Sequence, residues 1–234
     1  MQISAKDLGW LAVDGFCPRC FWIERHYKLP YQMGFPGIFS SIDSYTKNIV
    51  ERYFERNGKF PDWLSDVGKA KHITHIKPSE FKATVGNITL SGIPDLIFQK
   101  TDNSFCIVDY KTARYTANQD ELMPVYQIQL NGYAYIAEKL GDKPVKELYL
   151  VYFEPPHSDR FLELTVKHTT NEGFEMPFKP MIHRIKKDTK EVERLITKAG
   201  KLYEMDTPPS SLDGCKDCKR LDDLIGLVGE RNES

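Results

Sequence analysis

Pro94-Asp95 and Asp109-Tyr110-Lys111 are the residues whose types and spacing can do chemistry. Asp95 interrupts an apolar run made of Ile93, Leu96, Ile97 and Phe98. Asp109 ends a second run, Phe105, Cys106, Ile107 and Val108, and Lys111 follows two residues on. Residues two apart on a strand project to the same face, so Asp109 and Lys111 point together. Lys100 to Ser104, between the runs, is turn chemistry, because Asn and Asp bond their own backbone. Gly92 to Lys111 therefore predicts two paired strands, and pairing brings Asp95 toward the same end as Asp109. Two carboxylates and an ammonium gathered there are costly unless paired or bound to metal. Such a set suits a divalent cation held by oxygen. A hairpin closed by a surface ion pair uses the same residues, and these residues alone leave both readings open.

A second chemistry comes from cysteine. Cys17-Pro18-Arg19-Cys20 and Cys215-Lys216-Asp217-Cys218 are C-x-x-C pairs near opposite ends of the sequence. Such a turn places two thiolates close enough to hold one metal. Unrelated free thiols are the plainer alternative. Four thiolates satisfy tetrahedral zinc and equally a four-iron, four-sulfur cluster, and spacing leaves both open. Cys106, inside an apolar strand, reads as a small buried hydrophobe.

The elements that must position these groups follow from periodicity. Ser4-x-x-Asp7 predicts a capped short helix through Leu8 and Leu11. Ser40 to Asp43 predicts a second helix start. Ile42, Tyr45, Ile49, Val50, Tyr53 and Phe54 then keep helical spacing to about Arg56, and Asn57-Gly58 stops it. Pro61 to Pro78 is polar, with Lys69, Lys71, His72, His75 and Lys77, and reads as a solvated face or a basic segment that meets phosphates. Ala83 to Leu90 alternates and predicts the strand before Gly92. Pro124 opens a helix through Leu140, in which Gln129 and Tyr133 lie one turn apart on the same side. Glu147–Glu154 and Arg160–Lys167 predict a hairpin around Pro155-Pro156. A helix is expected from about Pro180 toward Met205, with Ile182, Ile185, Val192, Leu195, Ile196 and Leu202 facing in. Its Lys186, Lys187, Lys190 and Arg194 would form an interrupted basic strip. Gly226 to Ser234 is expected to be a loosely ordered tail.

Composition bounds the rest. A chain of 234 residues, 41% hydrophobic and 28% charged, is long enough and ordinary enough for one sizeable core. A net charge of -1 excludes a global basic field, so any nucleic-acid contact must come from a local patch. No apolar run approaches the length of a membrane span. The first residues lack the apolar core of a signal peptide, which leads us to expect a cytoplasmic protein with reduced thiols.

Pro94-Asp95 with Asp109-Tyr110-Lys111 resembles the PD-(D/E)XK nuclease superfamily. The order Pro-Asp, Asp-x-Lys and then Gln129-x-x-x-Tyr133 is similar to its RecB-type branch. With cysteines near both ends, the layout resembles RecB-type nucleases that carry a terminal iron–sulfur cluster. These include the nuclease of CRISPR spacer acquisition and bacterial helicase–nuclease subunits. The resemblance implies a four-iron, four-sulfur cluster on the four cysteines; those relatives usually place one cysteine early and three late, whereas this chain has two and two, which keeps zinc open as the alternative. The resemblance implies an α/β fold with a restriction-endonuclease-like core: a central mixed sheet flanked by helices, in one domain over residues 1–225. Cys17, Cys20, Cys215 and Cys218 would form a metal staple joining the termini.

The implied activity is hydrolysis of DNA phosphodiester bonds dependent on magnesium or manganese. It would be exonuclease-like on single-stranded or end-containing DNA, with little sequence specificity. Asp95 and Asp109 would hold the metal, helped by the Tyr110 carbonyl. Relatives often add a Glu or His from a helix before the Asp strand. Asp43 is the substitute here, with Glu51 and Glu55 behind it, although Asp43 also reads as closing a capping box with Ser40. Lys111 would orient the attacking water or stabilise developing charge, and Gln129 and Tyr133 would position Lys111 or the substrate backbone. DNA and other DNA-processing proteins are the implied partners, with no membrane. The competing readings are an inactive nucleic-acid-binding module of the same fold with a structural metal, and a redox-active cluster protein.

Overall fold

The computed structural model describes residues 1–27, 36–115, 121–142, 144–155 and 167–232, with side chains through 227. Its centre is the expected hairpin of β5 (Leu96–Lys100) and β6 (Phe105–Lys111), antiparallel with Leu96 opposite Val108 and Gln99 opposite Phe105. The turn is held as its residue types suggest. The Ser104 N–H donates to Asp102 Oδ1 at 3.0 Å, and Asn103 takes φ 63°, a left-handed conformation that Asn tolerates. The first strand is shorter than its apolar run: Ile93 is exposed, and Asp95 sits just ahead of the ladder.

Three more strands complete a five-stranded mixed sheet. They are β2 (Ala70–Ile73), β7 (Val145–Glu154) and β10 (Lys179–Ile185), in the order β10-β7-β6-β5-β2. β7 runs parallel to β6, and the helix α4 (Met123–Leu140) makes the crossover between them. The alternation of β6 sorts its side chains between two apolar clusters. Phe105 and Ile107 face α4, packing with Leu130, Tyr133 and Ile136. Cys106, Val108 and Tyr110 face the other side, with Phe60, Leu64, Phe98 and Val50 of α3 (Gly37–Asn57). Cys106 is the buried small hydrophobe expected.

Around this sheet the N-terminal part forms a smaller one. Ser4 caps α1 (Ala5–Gly9), its Oγ accepting from Asp7 N–H at 3.0 Å, and a 3-10 turn over Trp10–Ala12 follows. Before it, β1 (Gln2–Ser4) pairs parallel with β4 (Ile88–Ser91), which pairs antiparallel with β3 (Lys82–Val85). Ala83 to Leu90 is thus a tight hairpin rather than one strand. Gly86, at φ +59°, supplies the positive φ that a two-residue turn needs at its first position. Pro61 to Pro78 is also less open than its polarity suggests, since a 3-10 turn over Asp62–Val67 buries Leu64 and Val67.

Two helical expectations change. α3 begins at Gly37, three residues before Ser40, and its N-cap Pro36 offers no side-chain bond, so Asp43 closes no capping box. The stretch from Lys179 to Ile185 is β10 rather than the start of a helix. Ile182 and Ile185 are spaced for a helix, but β10 is a sheet edge, where Pro180 is tolerated. Buried Asn131 of α4 then clamps the following turn, donating to the Lys186 carbonyl at 3.0 Å and accepting from Asp188 N–H at 2.5 Å. Asp188 caps α5 (Thr189–Tyr203), accepting from Glu191 N–H at 3.2 Å. The basic strip dissolves: Lys187 pairs with Glu138 at 2.6 Å and Arg194 with Glu191 at 2.5 Å.

Residues 169–174 form the short pair β8 (Thr169–Thr170) and β9 (Gly173–Phe174). Residues 160–166 of the expected second hairpin strand lie outside the described residues, and the antiparallel neighbour of β7 is β10. α2 (Pro18–His26) and α6 (Lys216–Asn232) carry the cysteine pairs. The tail expected to be loose from Gly226 continues as α6 to Asn232. Among the described residues, no helix is long and apolar enough to cross a membrane.

Candidate active site

The register of the hairpin positions the acids. One residue beyond the Leu96–Val108 pair lie Asp95 and Asp109, at the end of the sheet where β5 begins and β6 finishes. Asp95 Oδ2 accepts from the Tyr110 backbone N–H at 2.6 Å, which ties the two strands together at that point. Lys111 Nζ approaches Asp109 Oδ2 at 2.5 Å, as the two-residue period requires. That oxygen is buried and has no aligned hydrogen-bond donor.

The helix above supplies the rest of the network. Gln129 Nε2 donates to Asp109 Oδ1 at 3.2 Å and to the Tyr133 hydroxyl at 2.7 Å, while its Oε1 accepts from Lys111 Nζ at 3.1 Å. The amide orientation follows from charge, with the acceptor toward the ammonium and the donors toward the carboxylate and phenol. The Lys111 ammonium also stands 4.6 Å above the Tyr126 ring, a cation–π contact. Tyr126 was not singled out from sequence, although Tyr126, Gln129 and Tyr133 sit at i, i+3 and i+7 on one helix face.

Burial dominates the electrostatics. It pushes the Asp109 carboxyl up to about 6, against the pull of the Lys111 charge and with the help of Asp95. It also raises Asp95, although Lys47 and the Tyr110 N–H act the other way. The phenol of Tyr133 rises too, by burial and then by the charge of Asp109. The Tyr110 side chain points to the opposite face, where its ring meets Phe153 edge-on at 5.5 Å, leaving only its backbone at the acids.

Asp43 lies on α3 rather than on the sheet, and a residue the sequence reading passed over connects it to the site. Lys47 Nζ bridges Asp43 Oδ2 at 2.8 Å and Asp95 Oδ1 at 2.7 Å. The spacing Asp43-x-x-x-Lys47 signals the first contact; nothing in the sequence signals the second. Asp43, Asp95 and Asp109 do not close up on a common point. Among the described residues, only the four cysteines bring three or more ligand atoms within 4.8 Å of one another. His72 and His75 join no such group.

Cys17, Cys20, Cys215 and Cys218 do converge, from opposite ends of the sequence. Each pair straddles a helix start. Cys17 is the N-cap of α2 and Cys20 lies in its first turn; Cys215 immediately precedes α6 and Cys218 lies in its first turn. Helix N-termini favour thiolate charge. The sulfurs of Cys20 and Cys218 are 3.4 Å apart, and those of Cys17 and Cys218, and of Cys20 and Cys215, 3.6 Å. Burial would push the Cys17 thiol up, but the Cys20 and Leu212 N–H groups and the neighbouring thiols outweigh it and bring it down to about 6. Burial pushes Cys218 up to about 11. Beside the sulfurs, Arg19 forks onto Asp222 at 2.9 and 2.6 Å, tying α2 to α6.

A family model described as the PD-(D/E)XK nuclease superfamily matches residues 31–221, and the chain belongs to that superfamily. The match includes the acids, Lys111, Gln129, Tyr133 and the second cysteine pair, and starts after the first pair. The chain is also 34% identical over 79 residues to an ATP-dependent helicase/nuclease subunit of Clostridium novyi (strain NT). That alignment covers 33% of this chain and only 6% of the relative. Among solved structures, the crystal structure of SSO0001 aligns with a TM-score of 0.43 at 14% identity, over 88% of this chain and 78% of that one.

Proposed function

We propose that this member of the nuclease superfamily hydrolyses DNA phosphodiester bonds at Asp95, Asp109 and Lys111, using magnesium or manganese. The observation that carries the reading is the buried Asp109 Oδ2, which faces the Lys111 ammonium, has no aligned donor and lies beside a second acid. An oxygen donor set of this kind suits a hard divalent cation. Asp95 and Asp109 would hold the ion. The Tyr110 carbonyl would join them, because an extended strand turns a residue's N–H and C=O to the same side, and this N–H already meets Asp95. Asp43 would complete the set from α3. A bound divalent ion supplies an activated water and neutralises charge on the scissile phosphate.

The chain's own residues do the remainder. Lys111 donates toward the phosphate oxygen or the attacking water, where negative charge develops. Gln129 fixes the Lys111 ammonium and Asp109 at once, and Tyr133 fixes Gln129. All these groups act on phosphate and water, so little base preference follows. The substrate we propose is single-stranded or end-containing DNA, cut from an end, with other DNA-processing proteins as partners. A relative named for helicase and nuclease together supports that setting. Reduced thiols suit a cytoplasmic location.

For the cysteines we propose one tetrahedral zinc. Zinc–sulfur bonds of about 2.3 Å place the four sulfurs roughly 3.8 Å apart. Separations of 3.4 to 3.6 Å, all within 4.8 Å, support a single ion. A four-iron cluster interposes a cube of iron and sulfide and holds its thiolates farther apart.

The test is cleavage of end-labelled single- and double-stranded DNA, with ends free or blocked. Magnesium or manganese should support it and EDTA should stop it. Asp109→Ala should abolish cleavage while its circular dichroism stays unchanged. A variant that cuts as fast as the parent refutes the assignment.

A further inference from the structure

Lys47 is held by two carboxylates from different parts of the fold. Its bond to Asp43 is a local pair within α3, one turn apart, of a kind that contributes little by itself. Its bond to Asp95 reaches from α3 to the start of β5, and the Asp95 side chain there is only 9% exposed. One ammonium thus stands between two acids that a divalent ion would draw together. The side chain keeps 32% exposure, so it has a path to solvent.

We infer that Lys47 is an internal counter-ion of the acid site: it holds Asp43 and Asp95 in the metal-free protein and yields them to an entering divalent cation. The inference rests on the nuclease reading above, since that reading makes the two acids metal ligands. The single charge of Lys47 relieves the repulsion between two carboxylates without coordinating either. A divalent ion brings twice the charge and short bonds to oxygen, and takes the same two carboxylates. Binding metal therefore includes the work of parting Lys47 from them. Removing the ammonium should leave the acids repelling in the metal-free state and readier for the ion.

The experiment is Mn2+ binding, read from the electron paramagnetic resonance of free Mn2+, on full-length protein with its cysteine metal in place. Lys47→Met should bind Mn2+ about tenfold more tightly than the parent. Its metal-free form should melt at a lower temperature, and Mn2+ should return the melting point to that of the loaded parent. Lys47→Arg, which keeps the charge, should bind Mn2+ as the parent does. Lys47→Gln gives the same reading should the Met variant fail to fold. Unchanged or weaker Mn2+ binding in the neutral variants overturns the inference and leaves the nuclease reading standing. A parent protein that binds no more Mn2+ than Asp109→Ala overturns both.

Discussion

Gly92 lies against Tyr133 so closely that a β-carbon at position 92 would stand 2.3 Å from Cε1 of the ring. The backbone leading into Pro94-Asp95 is therefore seated on the helix that carries Gln129. A methyl group there must push the ring, and with it the hydroxyl that receives the Gln129 bond. Overpacking of this kind costs roughly 1–3 kcal/mol. A domain of this size loses roughly 2–4 °C of Tm per kcal/mol. Gly92→Ala should thus melt several degrees lower by calorimetry and cut DNA more slowly. An unchanged Tm would show that the ring has room to move.

Lys111 and Gln129 should separate kinetically. Lys111→Ala removes the charge without removing a metal ligand, so Mn2+ binding should survive while turnover falls on the order of a hundredfold. Gln129→Ala frees Lys111 and Asp109 without touching either, and losses of a supporting residue run to about 10–100-fold. Single-turnover cleavage at saturating Mn2+ measures both. Full activity in either variant removes that residue from the mechanism.

Asp109 sets a pH dependence. Its folded carboxyl is raised to about 6 by burial, above its value in the unfolded chain. Between the unfolded pKa, about 4, and 6 the folded state binds more protons than the unfolded one, so this group's contribution is lost as pH rises. Metal-free Asp109→Asn should therefore melt higher than the parent at pH 7.5. The gain should shrink as pH falls from 6 toward 4. Metal needs the carboxylate, so Mn2+ binding by the parent should weaken below pH 6. Melting curves that keep the same difference at every pH would refute the account.

Each cysteine should matter to both ends of the sequence. Closure entropy grows slowly with loop length, while structural zinc contributes roughly 10 kcal/mol or more in small peptides. Cys20→Ser or Cys218→Ser should release the metal, lower Tm and raise amide exchange in α2 and α6 together. Elemental analysis should find one zinc per chain in colourless protein. Brown protein with four irons would replace zinc by the cluster, and absence of both metals would end the shared site.

The parts legible in the sequence are those whose signal is local. The β5–β6 hairpin shows in its two apolar runs and its Asp102-Asn103 turn, the acid–acid–lysine set in the strand period, and Gln129 with Tyr133 in the helical one. The cysteine pairs show because C-x-x-C constrains its own geometry. Lys47 was not legible as a neighbour of Asp95, because that contact depends on where α3 docks on the sheet. β10 was hidden because Ile182 and Ile185, three residues apart, keep helical spacing, whereas on the strand they face opposite sides of the sheet, and Asn131, distant in sequence, decides where the strand stops. The Ala83 to Leu90 hairpin turned on a single backbone angle at Gly86.

The pairing of Cys17 and Cys20 with Cys215 and Cys218 also has a consequence for synthesis. Domains begin to fold while the ribosome is still adding residues. The first pair emerges nearly two hundred residues ahead of its partners. A nascent chain can assemble the β5–β6 hairpin and α4 long before its ends are joined. The tetrathiolate site proposed above needs a chain translated through Cys218, so a prematurely terminated polypeptide that already carries the acids would stay unlatched and open to proteolysis.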